Sequence, residues 1–229
     1  MAENGLRESK KARTRLAISD AATELFKQRG FEQVTVAEIA EAADVSIKTV
    51  FNYFATKEDL FFDRSDELQA GLIRTITERP PGTTIAGSLR GLLADNMVPF
   101  AGARWTGLRN PDGYERFRGF VATEHASPAL RARRLVVSAA WAEQLAPVIA
   151  GELGIAADDY RAAVFAAMVL AAMAVREKTL SGGILAGVSA RVIEKRVRAA
   201  VDEAFDRIDR AFADIDVSAP ARAAGSPSS

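Results

Sequence analysis

"VTVAEIAEAADVSIKTVFNYFATKEDL", residues 34–60, carries three helix starts in twenty-seven residues. Thr35 is followed three positions later by Glu38, the pattern of a capping box. In it the Thr hydroxyl accepts from the third helical N–H and the Glu reaches back to the cap. The helix that follows, Val36 to Ala43, puts Val36, Ile39, Ala40 and Ala43 on one side. Asp44 then breaks it, since Asp tolerates the left-handed backbone of a tight turn, though less easily than Gly. Val45 points inward. Ser46 caps a second short helix, Ile47 to Tyr53, with Val50 and Phe54 toward the core. Ile47, Lys48, Thr49, Asn52 and Tyr53 are left outward or partly outward. Thr56, with Asp59 at its third position, caps another helix start. Two short helices joined by a tight turn form a helix-turn-helix, whose second helix would project side chains into a DNA major groove. The positive end of each helix start also suits phosphate.

Outward from this stretch, the spacing predicts an all-α chain of about nine helices. A first helix covers Lys10 to Arg29 and stops at Gly30. Residues 57–79 form a long connecting helix, ended by Pro80-Pro81. Another runs from Thr84 to Val98. Asn110-Pro111 and Ser127-Pro128 each read as a cap with Pro at the first helical position, and Pro147 is a kink site in the second of these helices. Asp158 caps the next helix, which ends near Gly182-Gly183. The last spans Ser189 to Ile215. The predicted organisation is a flexible arm over 1–9, a DNA-reading domain over 10–56, a ligand-binding and dimerisation domain over 57–215, and a disordered tail over 216–229.

Composition narrows the function. Thirty basic residues balance thirty acidic ones, so only local charge can report on nucleic acid. There is no cysteine and a single histidine, which leaves no thiolate chemistry and no Cys-based zinc site. No Gly-rich phosphate loop or nucleophile motif is present, and no catalytic residue, cofactor or metal is expected. "MAENGLRESKKARTR" lacks the apolar centre of a signal peptide. The longest apolar run, Ala162–Val175, is fourteen residues, shorter than the roughly 20 a bilayer span needs. The expected location is the cytoplasm.

"LFKQRGF", "TVAEIAEAA", "VSIKTVFNYF" and "TKEDL" together resemble the N-terminal domain of TetR-type transcriptional regulators, over about residues 12–62. The resemblance implies a homodimeric DNA-binding regulator, commonly a repressor released by a small molecule, acting on a near-palindromic operator. It implies base-edge contacts from Ile47, Lys48, Thr49 and Asn52, and phosphate contacts from Thr35, Tyr53 and Lys57. Asp44 stands where the family commonly has Gly, and Phe51 where it often has Tyr. Lacking a hydroxyl for phosphate, Phe51 is assigned to the core.

Other features have two readings each. The basic run Arg7, Lys10, Lys11, Arg13 and Arg15 is either a solvated face or a further DNA contact, and Lys10 and Lys11 are taken as DNA-binding. His125 has no metal-ligand companions in sequence and reads as structural or surface. Trp105, Phe117, Phe120, Trp141 and Met168 either line a pocket for a lipophilic or amphipathic ligand or fill the core. The stretch 162–175 is apolar all round, and the final helix carries one apolar stripe. Packing of a second copy is expected there through Val164, Met168, Ala171, Val197, Val201, Phe205 and Ile208. The resemblance likewise places the dimer's four-helix bundle on these two helices. The rival functions are a DNA-binding module gated by a protein partner and, with no catalytic motif to support it, an enzyme.

Overall fold

The computed structural model describes residues 2–63, 65–98 and 103–216. Along the chain these form α1 (Ala2–Arg29), α2 (Val36–Ala42), α3 (Ile47–Tyr53), α4 (Lys57–Phe61), α5 (Ser65–Thr77) and α6 (Ile85–Asp95). A two-stranded antiparallel ladder follows, β1 (Asn96–Val98) and β2 (Ala103–Arg104). Then come α7 (Trp105–Leu108), α8 (Pro111–Ala126), α9 (Pro128–Leu153), α10 (Tyr160–Leu185) and α11 (Ala190–Ala211). The architecture is all-α, as the spacing predicts. Eleven helices replace the expected nine because the segment after Thr56 is split into α4 and α5 and because α7 is an added single turn.

The chain divides into two compact units, Met1–Arg64 with Gly119–Leu135, and Ser65–Arg118 with Val136–Ser229. In the first, Ile18, Ala22 and Phe26 of α1 meet Ile39 and Ala40 of α2, Val50 and Phe54 around α3, and Leu60 and Phe61 of α4. Phe26, Phe31 and Phe61 form an aromatic cluster, and Phe61 stacks on Phe120 at 4.4 Å between ring centres. Ser127 opens α9 by accepting the Leu130 N–H, and its hydroxyl donates to Glu32 at 2.5 Å. The segment 119–135 is thus fastened to the N-terminal helices by both apolar and polar contacts.

In the second unit α11 packs on α10 and α6. Val197, Val201, Phe205 and Ile208 fill this core with Leu89, Leu93, Phe165 and Val169, all fully buried. Gly183 makes the close approach possible, because a Cβ there would lie 2.8 Å from Ile193 Cγ1. Arg176 is buried and donates from Nε to the Leu93 carbonyl at 2.9 Å, at the end of α6. Burial pulls its guanidinium down to about 10. The start of α6 is closed from far along the chain, where Asp216 accepts the Ile85 and Ala86 N–H groups at 2.9 and 3.0 Å.

Several boundaries differ from expectation. Helix α1 begins at Ala2, within the span read as an arm. The long helix after Thr56 breaks at Phe62–Asp63, where Arg15 donates to the Asp63 carbonyl at 2.7 Å and Ser19 to its carboxylate. These bonds draw the chain toward α1 and end α4. Helix α6 stops at Asp95 instead of Val98. Asp159, not Asp158, caps α10, accepting the Arg161 N–H at 2.9 Å. Asp216 is buried and bonded, so the expected tail does not start there; the rest of the tail, 217–229, lies outside the described residues.

Candidate nucleic-acid interface

The turn between α2 and α3 is built on one residue. Asp44 has φ 53°, the left-handed region predicted for it and the conformation a Gly adopts more easily. The Asp44 and Val45 N–H groups donate back to the carbonyls of Glu41 and Ala40 at 3.1 and 2.9 Å, satisfying the end of α2. Ser46 then accepts the Thr49 N–H at 3.0 Å and starts α3. Val50 and Phe54 are buried, which fixes the rotation of α3 about its axis.

That rotation leaves Ile47, Lys48, Phe51 and Asn52 on the outer face, with Thr49 and Tyr53 half-buried at its margins. Thr49 shares a hydrogen bond of 2.8 Å with the Ser46 hydroxyl, in which either oxygen can donate, so part of its hydroxyl capacity is used within the cap and its methyl group is left at the margin. Phe51 overturns its assignment to the core, being 50% exposed beside Ile47 at 48%. The sequence holds part of the signal: adjacent helical residues point about 100° apart, so with Val50 buried its neighbour Phe51 is turned off the buried direction, and Ile47, four positions before it, lies next to it.

Lys57 is more constrained than a phosphate contact implies. Its ammonium donates to the carbonyls of Phe31 and Val34 at 2.9 and 3.0 Å and lies 4.1 Å from the centre of the Phe31 ring. Two of its three N–H donors therefore hold the loop before α2. Arg15 of the basic run is likewise committed, to Asp63 and across the Phe54 ring at 4.5 Å, whereas Lys10 and Lys11 are exposed on α1.

The helix starts also differ from bare anion sites. Thr35 and Glu38 form the expected capping box, with the Thr35 N–H and hydroxyl each 2.8 Å from Glu38 Oε2. Arg29 pairs with the other oxygen at 2.8 Å. The backbone N–H of Thr35, then its hydroxyl, then Arg29 hold the Glu38 carboxyl down to about 2. Thr56 and Asp59 form a second capping box at α4. In each box the carboxylate takes the cap N–H and the Thr hydroxyl takes the third helical N–H, so a negative side chain sits at the starts of α2 and α4.

The candidate ligand residues are divided between the two units. Phe120 belongs to the first unit, stacked on Phe61, whereas Trp105, Phe117, Trp141 and Met168 belong to the second. Trp105 and Trp141 are buried, and the Trp105 indole N–H donates to the Ala94 carbonyl at 2.9 Å. A small cavity of about 120 Å³ lies in the first unit between residues 29–33 and Thr123, Ala126 and Ser127, and none of the five lines it.

The expected dimer residues separate into two groups. Val197, Val201, Phe205 and Ile208 are consumed by the chain's own core, because the apolar stripe of α11 faces α6 and α10. Val164 and Ala171 are exposed on α10, on a face shared with Tyr160 and Val175, and Met168 is half-buried. His125 is exposed, and its carbonyl accepts from Arg131. Among the described residues no three His, Cys, Asp or Glu side chains gather as metal ligands, and no helix is long and apolar enough to cross a membrane.

Residues 18–63 match the family model for bacterial regulatory proteins of the tetR family. The chain is 31% identical over 159 residues to the HTH-type transcriptional regulator TcmR of Streptomyces glaucescens, covering 68% of this chain and 67% of TcmR. It is 46% identical over 59 residues to the HTH-type transcriptional regulator LuxR of Vibrio harveyi, spanning 23% of this chain and 29% of LuxR. Among solved structures, the SmeT–triclosan complex superposes with a TM-score of 0.52 at 18% identity, covering 87% of this chain and 91% of SmeT, which is a likeness of fold.

Proposed function

The chain belongs to the tetR family of bacterial regulatory proteins and is a DNA-binding transcriptional regulator, and from that membership we propose that it is a homodimeric, cytoplasmic repressor released from a near-palindromic operator by a small lipophilic or amphipathic ligand. The observation that carries the DNA-reading part of the proposal is the outer face of α3. There Lys48 and Asn52 stand free to meet base edges on a helix whose opposite side is locked into the core. In this reading residues 10–56 read DNA, and 57–215 bind effector and partner copy.

Two-fold assembly is supported by the exposed face of α10, where Tyr160, Val164, Ala171 and Val175 present an apolar stripe to solvent. Gating is supported by the aromatic supply of the second unit, with Trp105 and Trp141 buried and Phe117 and Met168 half-buried. In SmeT, which shares the fold, the partner is triclosan. A ligand releases DNA only if it binds the DNA-incompetent state more tightly, and linkage requires operator to weaken ligand binding by the same factor. Footprinting on DNA upstream of the chain's own gene tests operator binding. Calorimetry with triclosan as the first probe, with and without that DNA, tests gating. Equal affinities in the two titrations count against triclosan as the releasing ligand. A protein partner that dissociates the complex in the absence of any small molecule supports the rival reading.

A further inference from the structure

Ile47 and Phe51 lie one turn apart on the outer face of α3, 48% and 50% exposed, with Lys48 and Asn52 beside them. Side chains four positions apart on a helix are neighbours, so the two form one apolar patch between polar flanks. Neither needs to be outside for the sake of the fold, since Val50 and Phe54 already supply the buried side of α3. A phenyl ring cannot donate to a phosphate, and a sec-butyl chain cannot hydrogen-bond a base edge. The major groove of DNA offers one apolar complement to such groups, the C5-methyl of thymine. Lys48 and Asn52 on the same face supply the charge and amide that would seat this patch in the groove.

We propose that Ile47 and Phe51 are specificity-determining residues that read thymine methyl groups, so that each operator half-site carries thymine at the positions they meet. This rests on the reading of α3 as the helix that enters the groove. Polar readout by Lys48 and Asn52 alone would leave thymine methyls without effect, which separates the two ideas experimentally.

The test uses the full-length chain and duplexes it selects from a randomised pool. Each thymine of a selected duplex is replaced in turn by deoxyuridine, which deletes only the methyl group. Loss of affinity of about 3- to 5-fold is expected at one or two thymines per half-site, the factor that goes with burying a methyl-sized group. In Phe51→Ala the penalty at one of those positions should fall to near 1-fold, and in Ile47→Ala the penalty at another. Where an Ala variant no longer binds measurably, the same duplexes are titrated at lower salt, where phosphate contacts hold the complex, and scored by the same rule. An enriched pool with no methyl penalty, or a penalty unchanged in the variants of both residues, overturns the assignment alone. A pool that never enriches overturns sequence-specific DNA binding itself, and the assignment with it.

Discussion

Asp59 ties the start of α4 to Arg133 of α9 through a single carboxylate. One oxygen accepts the Thr56 N–H at 3.0 Å, and the other accepts Arg133 Nε and Nη2 at 2.9 and 2.5 Å. The helix cap and the ion pair share one side chain, so the two effects separate by mutation. Arg133→Ala removes the pair only and should cost about 1 kcal/mol in a partly exposed setting. Asp59→Ala also removes the capping-box partner and should cost about 1 kcal/mol more. Urea unfolding of both single variants and the double variant measures this. Equal losses from Asp59→Ala and Arg133→Ala would mean that the cap contributes nothing.

Lys57 and Lys48 should behave as different kinds of lysine. Lys57→Ala deletes two hydrogen bonds from a charged donor to the carbonyls before α2, and each such bond contributes roughly 1.5–3 kcal/mol. The variant should be destabilised by about 2 kcal/mol, since water reaches the half-buried site, and its weakened DNA binding should follow from a loosened α2. Its third N–H remains for phosphate, so the slope of log affinity against log salt should also fall by about 1. Lys48→Ala should change operator preference and leave the unfolding midpoint in place. Thermal melts and binding isotherms at several salt concentrations distinguish the pair. A Lys57→Ala chain as stable as the parent would show that the loop does not depend on the ammonium.

What the sequence disclosed, and what it withheld, follows the range of the interactions. The capping boxes at Thr35 and Thr56, the turn at Asp44 and the Pro-started helices α8 and α9 are decided by residues a few positions apart, and each is found where it was read. The break after α4 depends on Arg15 and Ser19 reaching Asp63 across 48 and 44 residues, and no local pattern announces it. Asp216 closing α6 across 131 residues is the same case. The apolar stripe of α11 correctly signals burial but not what buries it, and here α6 and α10 of the same chain do so. Phe51 was misplaced for another reason. Lack of a phosphate-binding hydroxyl does not by itself bury a side chain, and a place about 100° round the helix from buried Val50 turns Phe51 outward.

Acid should weaken the start of α2 before it weakens the core. The Glu38 carboxyl is held at about 2, below its ordinary value of 4.5, first by the Thr35 N–H, then by the Thr35 hydroxyl and Arg29. A depressed carboxyl contributes stability that is present above its unfolded pKa and is lost as pH falls through its folded one. The window for Glu38 is therefore from about 4.5 down to about 2. Glu38→Gln should flatten the part of the stability–pH curve in that window and leave the curve above pH 6 parallel to the parent's. Denaturant midpoints taken at intervals of half a pH unit provide the comparison, and an unchanged acid limb would remove Glu38 from the account.

The two groups of candidate interface residues predict opposite outcomes for the same substitution. Ala171 is exposed on α10, on the face it shares with Val164 at 45% exposure, and a carboxylate there meets only water in a single chain. Ala171→Glu should leave the fold within about 0.5 kcal/mol of the parent. If α10 is where two copies meet, the same change buries a pair of like charges across the two-fold axis and should shift the chain to monomer at micromolar concentration. Val201 is fully buried between α11 and its neighbours in the same chain. Val201→Glu places an unpaired carboxylate in that core and should cost roughly 3–5 kcal/mol, with unfolding or aggregation whether or not a partner is present. Light scattering beside circular dichroism reads both variants. A folded Ala171→Glu chain that remains dimeric would move the interface off α10. A parent chain that is monomeric, alone and on operator DNA, would remove two-fold symmetry from the operator as well, since half-sites about 34 Å apart require two reading helices held at a fixed distance.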